Sequence, residues 1–517
     1  MGVLGITHVS SGRVGCRGAF QEVLVFILLP CCLTLQWAAP NVFSNDSILW
    51  AWNSPMELCA NKFNVPLDLK LFSLIGSPRI QSIGHRIVIF YATKLGLYPF
   101  INENTDTCVN GGIPQLGDLK EHLMKAKNDI LSTVRANQTG LAVIDWEDWR
   151  PTWDRNWKPK NIYKDLSVEL VQQQNAHLSI SNATKVAKQD FERAGKTFFL
   201  ETLKLAKQLR PQYLWGYYLF PECYNHGSAR PGYDGSCFEI EKRRNDQLFW
   251  LWKESTALFP NMYLHSRLSS TPLAALFVRN RVQEAFRLSD LRDPKDRVPI
   301  YFYAHPVFND VPSMYLSQYD LENTIGESVA LGVPGIVFWG AHNLTRNAQA
   351  CIILANYLRT TLNPYIINLT LAAKMCSQVL CEGAGVCTRI DWNSTDYLHL
   401  NPKNFVIQTG NDGQFTVNGK PTLDDLKYFS EKFDCRCYGS DVCKLRDVEN
   451  TNIDGIKVCI TNGVCIGSLV KEIDGFLFSQ QGPVESREAD ACPDSVLLTE
   501  AIQNVKKTSQ IPENGNY

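Results

Sequence analysis

Asp145 and Glu147 stand two positions apart in the run LAVIDWEDW, residues 141–149, directly after four apolar side chains. A short apolar run containing Val and Ile reads as a buried parallel strand. In a strand, residues i and i+2 share a face, roughly 6 to 7 Å apart along the chain. The two carboxylates would then leave the strand's end together, with Trp146 and Asp148 on the opposite side. Such a pair suits glycoside hydrolysis, where one carboxyl stays protonated as the acid and the other stabilises positive charge. By itself D-x-E equally describes two acids on the wet end of a strand.

Arg150, Trp153, Arg155, Trp157, Lys158 and Lys160 follow at once. Tryptophans stack on sugar rings, and neighbouring cations suit an anionic polymer. At least one of these tryptophans is expected to roof the fold rather than face a ligand. The whole segment VIDWEDWRPTWDRNWKPKNIY resembles the active-site segment of the animal hyaluronidases, a far more specific match than the D-x-E inside it.

The elements that would position the pair alternate along residues 69–358. Strand candidates are LKLFSLI (69–75), RIVIFYA (86–92), LAVIDWE (141–147), YLWGYYLF (213–220), NMYLHSR (261–267), VPIYFYA (298–304) and GIVFWG (335–340). Helical periodicity is clearest from Asn182, with Ala187, Phe191, Ala194, Phe198, Leu205 and Leu209 on one stripe. Asn182 or Thr184 is the expected cap, and Pro211 the stop. Repeated alternation predicts an α/β fold, a TIM-like (β/α) barrel. An open doubly wound sheet competes, but no Gly-rich phosphate loop follows a first strand. Polar or aromatic residues recur toward the strand ends: Tyr217, Tyr218, Tyr263, Tyr303 and Trp339. Singly each reads as rim packing; together they mark one shared end of a barrel.

The resemblance extends through FSLIGSPR, YPFI, NGGIPQ, WGYYLFPECYN, RNRVQEAFR and GESVALGVPGIVFWG. It implies Glu147 as general acid/base, Asp145 as its carboxylate partner and Tyr218 as the contact to a substrate N-acetyl group. Tyr263, Arg281, Tyr303, Asp310 and Trp339 match positions in or beside the family's groove, with Tyr98 at its rim. His305 departs from the pattern, standing where close relatives carry a basic or amide side chain. The implied substrate is hyaluronan, cut at the β-1,4 bond between N-acetylglucosamine and glucuronate, with chondroitin secondary. The sugar's own acetamide oxygen can attack the anomeric carbon, with retention of configuration. Glu147, kept protonated by a partly apolar site and a neighbouring acid, would then protonate the leaving oxygen. That chemistry requires no metal and no organic cofactor. A non-catalytic carbohydrate-binding or adhesion protein on the same fold is the alternative, disfavoured by the intact Asp145, Glu147 and Tyr218. A purely structural matrix protein is a weaker one.

Length and cysteines set the surroundings. A chain of 517 residues suggests one large domain with smaller additions. Lys plus Arg (51) nearly equals Asp plus Glu (52), so net charge names no partner and nothing points to nucleic acid. Arg13 and Arg17 precede the mostly apolar stretch Val23 to Leu35 and then Ala38 and Ala39, the pattern of a signal peptide over residues 1–39. Its removal would leave 14 of the 17 cysteines. These, with N-x-S/T sequons at Asn45, Asn137, Asn182, Asn343, Asn368 and Asn393, indicate the secretory pathway.

The barrel is expected over residues 40–370. A cysteine-rich domain is expected over 371–470 and a polar tail over 471–517. Six of its cysteines, Cys376, Cys381, Cys387, Cys435, Cys437 and Cys443, allow 15 pairings by spacing alone. The resemblance to an EGF-like module selects Cys376–Cys387, Cys381–Cys435 and Cys437–Cys443. Close spacing suggests Cys459–Cys465 and Cys223–Cys237, and the family pattern joins Cys59 to Cys351. Cys108 and Cys492 are left over. NPYIINLTLAAKMCSQVLC, DYLHLNP and GKPTLDDLKYFSEKFDC most resemble the sperm-surface member of the family. That implies a role in sperm passage through the egg's hyaluronan-rich cell layer, at the sperm surface, in the acrosome or outside the cell. The polar tail carries no visible GPI signal, so the expectation is either a soluble form or one kept at the membrane through a partner.

Overall fold

Seven short runs form parallel strands: β1 Leu49–Asn53, β2 Leu74–Gly76, β3 Ile87–Tyr91, β4 Gly140–Asp145, β5 Tyr213–Tyr217, β6 Tyr301–Ala304 and β7 Gly335–Trp339. The structure, a computed structural model, describes residues 48–77, 85–102, 104–105, 107–292, 296–410, 413–436, 455–460 and 463–467. Hydrogen-bonded order is β2-β1-β7-β6 in one sheet and β3-β4-β5 in another. Residues 258–261 join the two, through parallel bridges Tyr218 to Phe259, Leu258 to Ile300 and Asn261 to Tyr303. The result is one parallel arc from β3 round to β2. Among the described residues no ladder joins β2 to β3.

Strand periodicity decides what each face carries. Leu49, Ala51, Leu74, Ile87, Ile89, Leu141, Val143, Leu214, Phe259, Tyr301, Tyr303 and Val337 form a core on the concave face. Gly216 takes the in-phase position of β5, because a Cβ there would meet the Ala257 carbonyl oxygen at 2.3 Å. The other face packs against helices, among them α1 Leu119–Thr133, α2 Asn161–Gln174, α3 Ile180–Leu209, α4 Leu273–Asp290 and α5 Asn363–Leu380. In α3, Ala187, Phe191 and Phe198 are buried as the stripe predicts. The cap is Ser179, not Asn182 or Thr184; its hydroxyl accepts from the Asn182 N–H at 3.3 Å.

Two strand expectations shift. LKLFSLI is a strand only from Leu74. NMYLHSR joins the arc only at its start, where Asn261 bridges Tyr303 and the Met262 N–H donates to the Tyr303 carbonyl, the other bridges lying N-terminal to it. β1 went unread.

The expected boundary at residue 370/371 falls inside α5, an unbroken helix of 18 residues. Beyond it, Val386–Arg389 pairs antiparallel with Phe433–Arg436, and Phe405–Thr409 with Phe415–Gly419. Leu398, Leu400, Phe429, Phe433 and Ile466 belong to the same apolar core as the helices around the sheet. A buried ion cluster adds to that contact. Glu327 accepts from Arg279 Nε at 2.6 Å and from Arg389 Nη2 at 2.5 Å.

Disulfides Cys59–Cys351, Cys223–Cys237, Cys376–Cys387, Cys381–Cys435 and Cys459–Cys465 are formed. Cys108 is free and exposed. Asn137, Asn182 and Asn393 are exposed, whereas Asn343 and Asn368 are partly buried. The signal segment, Asn45, Cys437–Cys443, Cys492 and the tail lie outside the described residues. Among the described residues no helix is long and apolar enough to cross a membrane.

Candidate active site

β4 ends at Asp145, so the two carboxyls do not both ride on the strand as expected. Asp145 takes the next in-phase position above Leu141 and Val143, pointing into the mouth of the arc. The chain then turns: Trp146 is buried, stacked on Tyr98 at 4.3 Å between ring centroids, and Trp149 is buried beside it. Two anchored indoles hold the turn so that Glu147 returns above Asp145, within hydrogen-bonding reach of it.

The two carboxyls meet different surroundings. Glu147 keeps about half of its side chain exposed, 49%, and its Oε2 accepts from Arg150 Nη2 at 3.2 Å. Arg150 also donates to the Glu147 carbonyl at 2.9 Å, fixing backbone and side chain at once. Asp145 is mostly buried, and its Oδ1 has no hydrogen-bond partner. Burial raises its pKa to about 7, reinforced by the negative charge of Glu147 and opposed by Arg150. The desolvation expected for Glu147 therefore falls on Asp145. Because the groups are in contact, a proton that Asp145 holds up to about neutral pH lies within reach of Glu147.

Round the mouth, each strand contributes its next in-phase residue: Asn53, Tyr91, Asp145, Tyr218, Asn261, His305 and Trp339. Tyr91, Tyr218, Tyr263 and Tyr303 all lie in the field of the Asp145 carboxylate. Tyr218 packs edge-on to Tyr303 at 5.2 Å, and its hydroxyl accepts from Asn261 Nδ2 at 3.2 Å. Opposite, His305 stacks on Tyr263 at 3.5 Å and on Trp339 at 5.2 Å. Trp339 Nε1 donates to the Tyr91 hydroxyl at 3.0 Å. An acid pair facing a wall of stacked rings can hold a sugar by its faces while a proton reaches one glycosidic oxygen. Among the described residues no His, Cys, Asp or Glu side chains group as a metal site.

A family model described as hyaluronidase matches residues 37–447. The chain belongs to the hyaluronidase family. It is accordingly a glycosidase. Hyaluronidase PH-20 of Homo sapiens is 56% identical over 91% of this chain and 92% of its own length. Hyaluronidase-5 of Mus musculus is 54% identical over 88% of this chain and 86% of its own. Bee venom hyaluronidase, solved with a hyaluronic acid tetramer, superposes with a TM-score of 0.54 at 29% identity. That match covers 62% of this chain and 98% of the bee chain.

Within this hyaluronidase, Asp145, Glu147, Tyr218, Tyr263, Tyr303 and Trp339 come together at the mouth. Three expected positions do not. Tyr98, expected at the rim, is 2% exposed, because Trp146 lies on its ring and its hydroxyl meets Tyr217 at 2.7 Å. Arg281 is 3% exposed behind the wall, its guanidinium paired with Glu222 at 2.8 Å. Asp310 is on a surface loop, where Oδ1 and Oδ2 accept from the N–H and hydroxyl of Ser266 at 2.8 and 2.7 Å. Of the residues after the pair, Trp153 and Arg155 are buried, and only Trp157 among the nearby tryptophans is exposed. Burial holds His305 neutral, pushing its pKa down to about 3, with both ring nitrogens unpartnered.

Asn53, Tyr91 and Asn261 were missed, and Arg150 was read only as a cation for a polymer. The signal was available for Tyr91: it ends an apolar strand in the phase of Ile87 and Ile89, as Asp145 does on β4.

Proposed function

We propose that this hyaluronidase is an endo-β-N-acetylhexosaminidase that cuts hyaluronan between N-acetylglucosamine and glucuronate, with chondroitin secondary. The single observation that carries the mechanism is the Asp145–Glu147 pair, one carboxyl buried and the other half exposed, in contact at a strand end. Glu147 donates the proton to the leaving oxygen. Asp145 then carries the negative charge that steadies developing positive charge, and its unpartnered Oδ1 accepts from the acetamide N–H. Tyr218 donates to the acetamide oxygen, aiming it at the anomeric carbon. Configuration is retained, because the acetamide displaces the leaving group from one face and water opens the intermediate from the other. Tyr263 and Trp339 present ring faces to neighbouring sugars, with His305 stacked against both.

The arc closes between β2 and β3 into a TIM-like barrel in this reading, supported by Gly76, where a Cβ would meet the Ile87 carbonyl oxygen at 2.2 Å. The disulfides Cys376–Cys387 and Cys381–Cys435 support an EGF-like segment docked on α5. Disulfides and exposed sequons support a secreted glycoprotein outside the cell. The likeness to hyaluronidase PH-20 supports a place in sperm passage through the egg's hyaluronan-rich cell layer.

The test compares the wild-type protein with Glu147→Gln on hyaluronan and chondroitin, sizing the products. Positioned proton transfer is worth about 10² to 10⁴ in rate, so the variant should lose at least 99% of turnover and still bind polymer. Residual activity above a few per cent would remove Glu147 as the acid, and inactive wild type that binds hyaluronan would mark a carbohydrate-binding protein.

A further inference from the structure

Which way the Tyr218 hydroxyl points its proton is set from behind the wall. Arg281 Nη1 donates to both the carbonyl oxygen and Oδ1 of Asn261, each at 3.0 Å. Its remaining donors are committed: Nε to Asn225 Oδ1 at 2.9 Å, and Nη2 to Glu222 at 2.8 Å and His226 Nε2 at 3.0 Å. Glu222 is held in turn by the N–H groups of Cys223 and Tyr224, both at 3.0 Å, beside the Cys223–Cys237 disulfide. Asn225 is anchored by donating to the carbonyls of Gly235 and Phe277 at 2.7 and 2.9 Å. Glu222, Asn225, Asn261 and Arg281 are each no more than 7% exposed.

A guanidinium has donors and no acceptor, so the side-chain atom of Asn261 facing Arg281 must be its oxygen. Its Nδ2 must then face Tyr218, and an amide nitrogen can only donate. The Tyr218 oxygen is therefore an acceptor toward Asn261, and its own proton is left for a ligand. We infer that Asn261, locked by Arg281 and Glu222, is a positioning residue that makes Tyr218 a hydrogen-bond donor to the substrate. This gives Arg281 a task suited to its buried position. It rests on the reading that Tyr218 donates to the acetamide oxygen.

Asn261→Asp tests the polarity directly. The carboxylate keeps the shape and pairs with Arg281, but offers Tyr218 an acceptor, so the hydroxyl turns its proton away from the substrate. Asn261→Ala merely removes a donor and leaves the Tyr218 proton free. The expected order of damage to kcat on hyaluronan is Asp greater than Ala. Asn261→Asp should fall about 10- to 100-fold, the worth of one hydrogen bond to a group gaining charge, with KM changed less than about threefold. Tyr218→Phe should fall by a similar factor, and the double variant Tyr218→Phe with Asn261→Asp should be no slower than Tyr218→Phe alone. A merely structural role predicts the reverse order, since Asp fills the space and Ala does not. It also predicts losses that multiply in the double variant; either result overturns the inference. If Asn261→Asp does not fold, Asn261→Ala in both Tyr218 backgrounds decides: a loss equal in the two would overturn it, a loss confined to the Tyr218 background supports it. If Tyr218→Phe is fully active, the reading of Tyr218 fails and the inference falls with it. If Tyr218→Phe is slow and Asn261→Asp is not, only the inference fails.

Discussion

Replacing Asp145 by Asn removes one titrating carboxyl and keeps its shape. In the wild-type protein, burial and the neighbouring Glu147 raise the Asp145 pKa from 3.8 to about 7. Between those values the folded state holds a proton the unfolded chain has released. The contribution of Asp145 is thus fully present below about pH 4, falls as pH rises through about 7, and is flat beyond. The full change is about 4 kcal/mol, at 1.36 kcal/mol per tenfold change in proton affinity. The Asp145→Asn variant has no such slope. Its unfolding free energy, relative to wild type, should therefore rise by up to ~4 kcal/mol between pH 4 and pH 8. Catalysis should move the other way. With Asp145 no longer holding a proton beside Glu147 up to about neutral pH, the basic limb of kcat/KM should move to lower pH. Denaturant titrations and kcat/KM profiles of both proteins from pH 4 to 8.5 measure the two effects. A stability difference that stays constant across that range, with an unmoved basic limb, would refute this account of the pair.

Two further perturbations test what holds the site's scaffold. Glu327→Gln leaves Arg279 and Arg389 buried without their counter-charge and should cost about 3 to 5 kcal/mol, read by denaturant unfolding. A loss under about 1 kcal/mol would mean the cluster carries little of the contact between the sheet's helices and the C-terminal segment. Replacing Cys59 and Cys351 by Ser opens a loop closed across 292 positions and should cost about 3 to 5 kcal/mol, with Michaelis parameters unchanged in the folded fraction. A matching loss of kcat at low temperature would show that the bridge shapes the site itself.

The acid pair was legible because D-x-E follows an apolar run, and the ring wall because aromatics recur at strand ends. The turn after Asp145 was not, because its cause is Trp146 burying against Tyr98, a residue far upstream in the chain. For the same reason the buried carboxyl was assigned to the wrong member of the pair. Motif matching placed Arg281 and Tyr98 near the site but could not say on which side of the wall they stand. Only the hydrogen bonds of Arg281 do that. β1 escaped notice because LWAWN alternates nothing: both of its faces are buried, so no polar residue marks a period. The strand near Asn261 was read late because its pairing atoms lie at 258–261, in a stretch interrupted by Pro260.

The most direct test of the central claim, that the protein supplies the proton and the sugar supplies the nucleophile, uses the wild-type enzyme and an altered polymer. Hyaluronan stripped of its N-acetyl groups should still bind, seen as retention on an immobilised polymer, and should show no cleavage when products are sized. Cleavage at a rate near that of intact hyaluronan, or a glycosyl adduct on Asp145 detected by mass spectrometry, would contradict it.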